Sequence, residues 1–371
     1  MGLACYLPPI RDDFDEMNWT EPLHSRGIVN RAGAALSDPG INLDFILGVV
    51  DNWRSAHSYP LHSLTANLRN RADAADQGAV VAQRLKRLGS ITKKLERQPN
   101  MKLSQMQDIG GCRAVVTDMN CLNALVLRFE KGAAPCWSLC EKYDYVSRPK
   151  TDGYRSVHLV YQYASIERPA FNKLRIEIQI RSRLQHAWAT ALETVDTFTR
   201  QALKSHRGSP DWLRFFALMG HSIAIREGQS PVPGVPIMRR DLLREISELA
   251  VKLNVINTLH GWASAIEVTS ARKNAHFFLL TLNMDEKRIY ITPYSKNQSE
   301  LAAAEYSLVE KQNAECPEIQ SVLVSVNSFR QLRLAFPNYY LDTTAFTKLV
   351  EEDIQASASL DEWPAGLEAM S

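Results

Sequence analysis

Three stretches of this chain gather side chains able to do chemistry. The first is Arg84-Leu-Lys86-Arg87-Leu-Gly-Ser90-Ile91-Thr-Lys93-Lys94-Leu-Glu-Arg97. Read as a helix, it puts Lys86, Ser90, Lys94 and Arg97 on one face and Leu85, Leu88, Ile91 and Leu95 against the core. Such a row is either a solvated basic face or a grip for a polyphosphate, whose charge must be neutralised before a nucleophile can approach. The second is Asp108-Ile-Gly-Gly-Cys-Arg113. Paired glycines let backbone approach a ligand, and an Asp at a strand mouth suits magnesium, although Asp-x-Gly is common in any sequence. The third runs from Tyr143 to His158 and includes Pro149, Lys150, Gly153 and Tyr154. It presents a cation, a glycine hinge and a flat ring, a suitable set for stacking a base while holding its phosphates. A strand follows in which Leu174, Ile176, Ile178 and Ile180 alternate with Arg175, Glu177, Gln179 and Arg181. Its polar face reads either as solvent-facing ion pairs or as a functional surface on which neighbouring cations keep Glu177 ionised.

In chain order these stretches read Arg-x-Lys-x-x-x-Ser-Ile-x-x-Lys, Asp-Ile-x-Gly-x-Arg, Asp-Tyr-x-x-x-Pro-Lys-x-x-Gly-Tyr-x-Ser-x-His and Glu-Ile-Gln-Ile-Arg. Together, over about Val80 to Glu193, they resemble the RelA/SpoT-type nucleotide pyrophosphokinase (alarmone synthetase) domain. One departure is Thr194 after Glu193, where members of that family often carry Glu-His. No His-Asp pair occurs in the chain, so the hydrolase domain of bifunctional members is not expected. The resemblance implies a nucleotidyltransferase-like mixed sheet flanked by helices, holding ATP beside an acceptor. It implies that Arg84, Lys86, Ser90, Lys94 and Arg113 bind ATP, that Asp108 ligates Mg²⁺, and that Glu177 ligates it or draws the acceptor's proton. Lys150, Tyr154 and His158 would position the acceptor, Tyr154 by stacking on its base, supported by Gln179 and Arg181. The implied reaction is attack of a ribose 3′-hydroxyl on the β-phosphorus of ATP, with AMP leaving.

The region ending in Phe336-Pro-Asn-Tyr339-Tyr340-Leu-Asp342-Thr343 looks like the C-terminal antitoxin region of fused toxic small alarmone synthetases of the CapRel kind. That resemblance implies pyrophosphate transfer to the 3′ end of tRNA, translation arrest, restraint by a C-terminal domain acting through Tyr339 and Tyr340, and release by a phage protein. Arg200, Lys204 and Arg207, cations at helical spacing, also favour tRNA. The alternatives are a small synthetase making (p)ppGpp or an adenosine analogue, and an inactive nucleotide-sensing module. Intact Asp108, Glu177, Lys150 and Tyr154 argue against the last.

The elements that must position these residues follow from periodicity and punctuation. Residues 1–40 read as a loosely held arm. Helices are expected from Ile41 to Trp53, on to about Ala75, and from Val80 to Arg97. Strands follow at Cys112–Thr117, Ser156–Tyr163 and Leu174–Arg181, then helices at Leu184–Leu203 and Trp212–Ile225. Three prolines in Ser230-Pro-Val-Pro-Gly-Val-Pro236 mark a stiff connector between a pyrophosphokinase domain (41–229) and a C-terminal regulatory domain (237–371). The latter reads as two helices over about 238–254 and 256–270, strands at 276–282 and 288–294, a helix at 300–311, a strand at 322–326 and a short helix from Ser328. The fold class expected is thus α+β with a smaller C-terminal α+β domain.

Composition sets the outer bounds. The chain's 371 residues suffice for two or three domains at roughly 150 each. With 45% hydrophobic and 23% charged residues it is a globular chain, not a disordered one. A net charge of +2 means that a polyanion must be met by a local patch rather than a global field. Six cysteines are too few for a disulfide scaffold, and Cys136 and Cys140 lack a second ligand pair for zinc. No apolar run approaches the roughly 18 residues of a membrane helix, and no signal-peptide pattern opens the chain, so a cytoplasmic protein is expected.

Overall fold

The computed structural model describes residues 19–36, 43–132, 136–199, 209–264, 267–268, 275–283, 285–286, 288–313, 316, 319–325, 332 and 343–361. Three helices open it: α1 (Arg26–Ala35), α2 (Leu43–Ala56) and α3 (Ser58–Ala75). Next come β1 (Val80–Leu85), α4 (Leu88–Arg97), β2 (Gly110–Val116), α5 (Met119–Lys131), β3 (Trp137–Asp144), β4 (Val157–Tyr163) and β5 (Arg175–Ser182). Four helices follow, α6 (Arg183–Thr199), α7 (Pro210–Arg226), α8 (Arg239–Lys252) and α9 (Val255–Ser264). The remainder is β6 (Glu267–Val268), β7 (Phe277–Asn283), β8 (Arg288–Tyr294), α10 (Ser299–Gln312), β9 (Ile319–Ser325) and α11 (Thr344–Asp361).

All nine strands form one mixed sheet in the order β3-β4-β5-β2-β1-β9-β7-β8-β6. The pairs β2–β5 and β6–β8 are parallel and the others antiparallel. The alternation read in β5 is structural: Ile176, Ile178 and Ile180 are fully buried. They pack with Leu61, Leu64 and Leu68 of α3 and Leu122, Leu125 and Phe129 of α5. A second helical layer, α6 to α9 with α11, closes around Trp188, Phe215, Phe216, Leu242 and Phe346.

Several expectations need correction. The basic stretch is not one helix from Val80 to Arg97: residues 80–85 are strand β1, antiparallel to β2, and the helix starts only at Leu88. Leu85 and Leu88 sit three apart and so extend the helical spacing backward across the break, while the β-branched Val80-Val81 pair favours strand. Within the supposed arm, Ser25 caps α1 by accepting from the Ile28 amide, and Val29 and Ala32 are buried. The 230–236 connector is not a free spacer, since Val232 and Val235 are buried in the α6–α9 cluster. Helices α5 and α11 and the edge strand β3 were not expected. β3 is mostly half-exposed or exposed, so it lacks the apolar alternation that betrays a strand.

The stretch after 236 goes to two places. Helices α8, α9 and α11 join the cluster of α6 and α7, with Arg226 paired to Glu352 at 2.7 Å and Asp353 at 2.6 Å. β6 to β9 and α10 instead extend the sheet, through Gln83 opposite Ser325 and Arg84 opposite Val324. Tyr339, Tyr340, Arg200, Lys204 and Arg207, the turn residue Met284 and the short helix begun at Ser328 lie outside the described residues, apart from Leu332. Among the described residues no helix is long and apolar enough to cross a membrane, and no cluster of three metal-ligating side chains occurs.

Candidate active site

Strand register assembles the site. Across β1, β2 and β5, Arg84 lies opposite Gly111 and Gly111 opposite Glu177; Ala82 lies opposite Arg113 and Arg113 opposite Gln179. His158 on β4 is opposite Gln179. Side chains alternate across a strand, so Arg84, Arg113, Glu177, Gln179, Arg181 and His158 share the face turned away from α3 and α5. Gly111 stands between Arg84 and Glu177. Its missing side chain leaves a depression lined by Ala82, Arg84, Gly111, Arg113 and Gln179.

At one end of this face Asp108 accepts from Lys86 Nζ at 2.6 Å and from Lys94 Nζ at 2.8 Å. Burial opposes ionisation of Asp108, yet the two ammonium groups outweigh it and hold the carboxyl well below the usual range. Lys94 comes from α4 and Lys86 from the turn after β1, so the predicted pair does meet, though not on one helix. Ser90 is half-buried on α4, one turn before Lys94.

At the other end five side chains close a hydrogen-bonded ring. Gln179 Nε2 donates to Glu177 Oε2 at 2.7 Å, and His158 Nδ1 donates to Glu177 Oε1 at 2.9 Å. His158 Nε2 shares a 2.7 Å hydrogen bond with the Tyr154 hydroxyl. Arg181 Nη2 donates to Tyr154 at 2.8 Å and to Gln179 Oε1 at 3.3 Å. Burial disfavours charge on Tyr154, His158 and Glu177, but within the ring the opposite charges win. Arg181 and His158 pull the Tyr154 phenol down to about 8; Tyr154 and Glu177 push the His158 imidazole up to about 9. Glu177, bonded to His158 and Gln179, also stays below its ordinary value, although Asp108 pushes it upward. Arg113 is half-buried and, like its neighbours Arg181 and Arg84, cationic; burial and those two charges lower its proton affinity, to about 9. A guanidinium keeps its proton in proteins, so the strain is relieved by an anion rather than by deprotonation.

The Pro-Lys…Gly-Tyr loop is clamped, which corrects the hinge reading of Gly153. Its φ is +91°, and a Cβ there would lie 2.9 Å from Phe216 O of α7. Gly220 of α7 in turn leaves room for Gly153, whose carbonyl oxygen would be 2.6 Å from an added Cβ. Only glycine fits at both positions. Asp144 accepts from the Val146 and Ser147 amides at 3.0 Å, closing the other end of the loop. Lys150 Nζ lies 4.6 Å from the Tyr145 ring centre and 5.0 Å from that of Tyr154. Tyr145, unflagged by the sequence, also meets His158 edge-on at 5.2 Å and stacks on Tyr143 at 6.1 Å.

Two further contributors come from outside the motifs. Glu310 of α10 accepts from the Leu88 amide at 3.0 Å, so a carboxylate from the far end of the chain caps the N-terminus of α4. The same carboxylate pairs with Arg54, which is 2% exposed, and accepts from Tyr306 at 2.9 Å. Leu332 is fully buried against Ala82, Val322 and Val324 on the site face, beside Arg84. No local pattern announces either contact, because each joins residues more than 200 positions apart.

Residues 83–196 match the family model described as the region found in RelA / SpoT proteins. The GTP pyrophosphokinase YjbM of Bacillus subtilis (strain 168) is 31% identical over 115 residues, 30% of this chain and 52% of the relative. The chain thus spans about half the length of that curated relative. Among solved structures, the small alarmone synthetase 2 of Bacillus subtilis is 18% identical with a TM-score of 0.41, covering 48% of this chain and 93% of that one. A GTP pyrophosphokinase family protein of Streptococcus pneumoniae is 20% identical, TM-score 0.41, covering 51% and 93%. The segment from Gln83 to Asp196 that matches this family model holds the lysine–aspartate cluster, the clamped loop and the five-residue ring.

Proposed function

We propose that this face moves the β,γ-pyrophosphate of ATP to a ribose 3′-hydroxyl. The observation that carries the reading is a row of cations (Arg84, Lys86, Lys94, Arg113, Arg181) running between two ionised carboxylates on one sheet face. Arg84 and Arg113 flank the depression at Gly111 and suit the base and α-phosphate of ATP; Lys86, Ser90 and Lys94 suit the phosphates being moved. The 3′-oxygen attacks the β-phosphorus as its proton passes to solvent water, the bond from that phosphorus to the bridging oxygen breaks, and AMP leaves with the electron pair. Positioning and charge neutralisation supply most of the rate, and no covalent intermediate with the protein is needed.

Asp108 and Glu177 fit Mg²⁺: both are ionised oxygen donors, and the Asp108 charge reaches Glu177 across the gap. When bound, the ion would neutralise the polyphosphate and polarise it toward attack. A carboxyl held low is a weak proton acceptor, so the ligand role of Glu177 is favoured over the base role. The ring fixes its orientation through His158 and Gln179. Lys150, Tyr145 and Tyr154 form the aromatic and cationic edge on which an acceptor base would rest.

For the acceptor we favour the 3′ end of tRNA, with residues 237–371 as a regulatory part released by a phage protein. The contact of Leu332 with Ala82 supports restraint at the site mouth. A second reading is a free guanosine nucleotide as acceptor, supported by the named GTP pyrophosphokinase. Incubation of the protein with γ-labelled ATP and either bulk tRNA or GTP tests both. Label on tRNA alone supports the first reading, label on GTP alone the second, and label on neither with active, folded protein rejects pyrophosphate transfer.

A further inference from the structure

A second cavity lies on the opposite side of the sheet from the catalytic residues. The helix layer is interrupted there: α3 covers β1, β2 and β5, whereas α10 covers β9 and β7 through Phe277, Ala302 and Tyr306. Between the two helices, beneath the seam where β1 meets β9, a cleft remains that is lined also by Trp19, Ser55 and Ser299. Side chains at odd positions of β1 point this way, since Val81 and Leu85 belong to the core under α3. On β9 Leu323 packs toward α10. The cavity has a volume of about 60 Å³. That is room for roughly four to six waters, hence for one ring system and not for a whole nucleotide.

Three of its lining groups have unmet hydrogen-bonding capacity. Gln83 is 7% exposed and Ser325 1%, and these two residues are cross-strand partners. Among the described residues, neither Gln83 Oε1 nor Ser325 Oγ has a hydrogen-bond partner, and the same holds for Trp19 Nε1. All three residues line this cavity. An acceptor, a hydroxyl and an indole donor thus converge where the other walls are Leu61, Leu85 and Phe277. Buried polar atoms without partners are costly, and three in one apolar pocket point to a ligand that supplies the missing bonds.

We propose that this cavity binds a nucleobase. A base is flat and apolar on its faces, as walls bearing Trp19 and Phe277 require, and its edge offers donors and acceptors side by side. Arg84 turns its side chain to the catalytic face, which leaves Glu300 as the charged side chain of the lining, so the pocket favours a neutral base over a triphosphate. Arg84 also lines the depression on the catalytic face, which gives base occupancy a direct route to the ATP side.

The test is titration of the full-length protein with adenosine, guanosine, cytidine and uridine, and with a short single-stranded RNA, by calorimetry and tryptophan fluorescence. At least one probe binds, and Ser325→Ala and Gln83→Leu each weaken it about tenfold, whereas Arg113→Ala, on the other face, does not. Trp19→Phe abolishes the fluorescence change. Binding by nucleosides assigns the site to a free base; binding by RNA alone, lost in the same variants, assigns it to an unpaired base of a polynucleotide. The proposal is overturned if no probe binds at millimolar concentration, leaving a pocket that holds water only. It is equally overturned if binding survives Ser325→Ala and Gln83→Leu but disappears in Arg113→Ala. Should Gln83→Leu misfold, Ser325→Ala alone decides.

Discussion

Two neighbouring regions of the nine-stranded sheet use the same face in opposite ways. At β5, β2 and β1 it carries Glu177, Gln179, Arg181, Arg113 and Arg84, polar and charged groups that range from exposed Arg84 to buried Arg181. Two strands further on, at β9 and β7, it carries Val322, Val324, Phe278 and Leu280, all nearly or fully buried. Ala82 belongs to both regions, in register with Arg113 and packed with the apolar cluster. The backbone architecture is therefore indifferent to chemistry. The polar end holds its shape through ion pairs and the hydrogen-bonded ring, and the apolar end through burial, so substitutions in the two should fail differently.

The largest effect is expected at the polar end and on rate. Asp108→Asn or Glu177→Gln should lower pyrophosphate transfer by about 10²- to 10³-fold, equal to ~2.7–4 kcal/mol of barrier. Turnover near that of the unsubstituted protein in either variant would remove the catalytic assignment. Next comes the bridge from α10: Glu310→Ala leaves Arg54 buried with Asp51 as its remaining carboxylate at 3.3 Å and strips the cap from α4. A loss of about 3 kcal/mol in denaturant unfolding is expected, the low end for breaking a buried pair because Asp51 stays. A stability change below about 0.5 kcal/mol would mean that the two ends are not coupled through this carboxylate.

Gly220→Ala drives a methyl group into the Gly153 backbone, where no flexible atom can yield. It should cost about 1–3 kcal/mol and raise KM for the acceptor more than for ATP. Unchanged acceptor kinetics would show that the clamp does not shape the acceptor edge. The smallest effect is a pH dependence. The folded imidazole of His158 titrates near 9 against 6.5 when unfolded. Its stabilisation is therefore complete below pH 6.5, declines as pH rises through the window 6.5 to 9, and is gone above it. The stability difference between the native protein and His158→Gln, followed by denaturation across that window, should shrink with rising pH. A difference that stays constant would place no proton between His158 and its partners.

Legibility along the chain tracked locality. The β5 strand could be read because Ile176, Ile178 and Ile180 alternate with polar residues and bury one face only. The lysine–aspartate cluster was visible as residue types, yet its geometry was misread: the charged run spans a strand, a turn and a helix, and composition does not mark where one period gives way to another. Gly153 looked like a hinge because glycine is permissive in isolation; in place, contact with Gly220 makes it the most constrained residue of its loop. Strand β7 was found at Phe277–Asn283, close to the expected 276–282, but nothing in its own residues says that it shares a sheet with β2.

By itself, then, the sequence determined which side chains are present for chemistry and the period of each short element, because both depend on neighbours within a few positions. Tertiary structure alone decided that Gly220 of α7 clamps the acceptor loop at Gly153, that Glu310 caps the helix carrying Lys94, and that the β1–β9 seam leaves Gln83 and Ser325 facing a cavity. These are pairings between residues tens to hundreds of positions apart. Their free energy comes from desolvation and hydrogen bonding that exist only once the sheet has closed, so no local pattern in the chain encodes them.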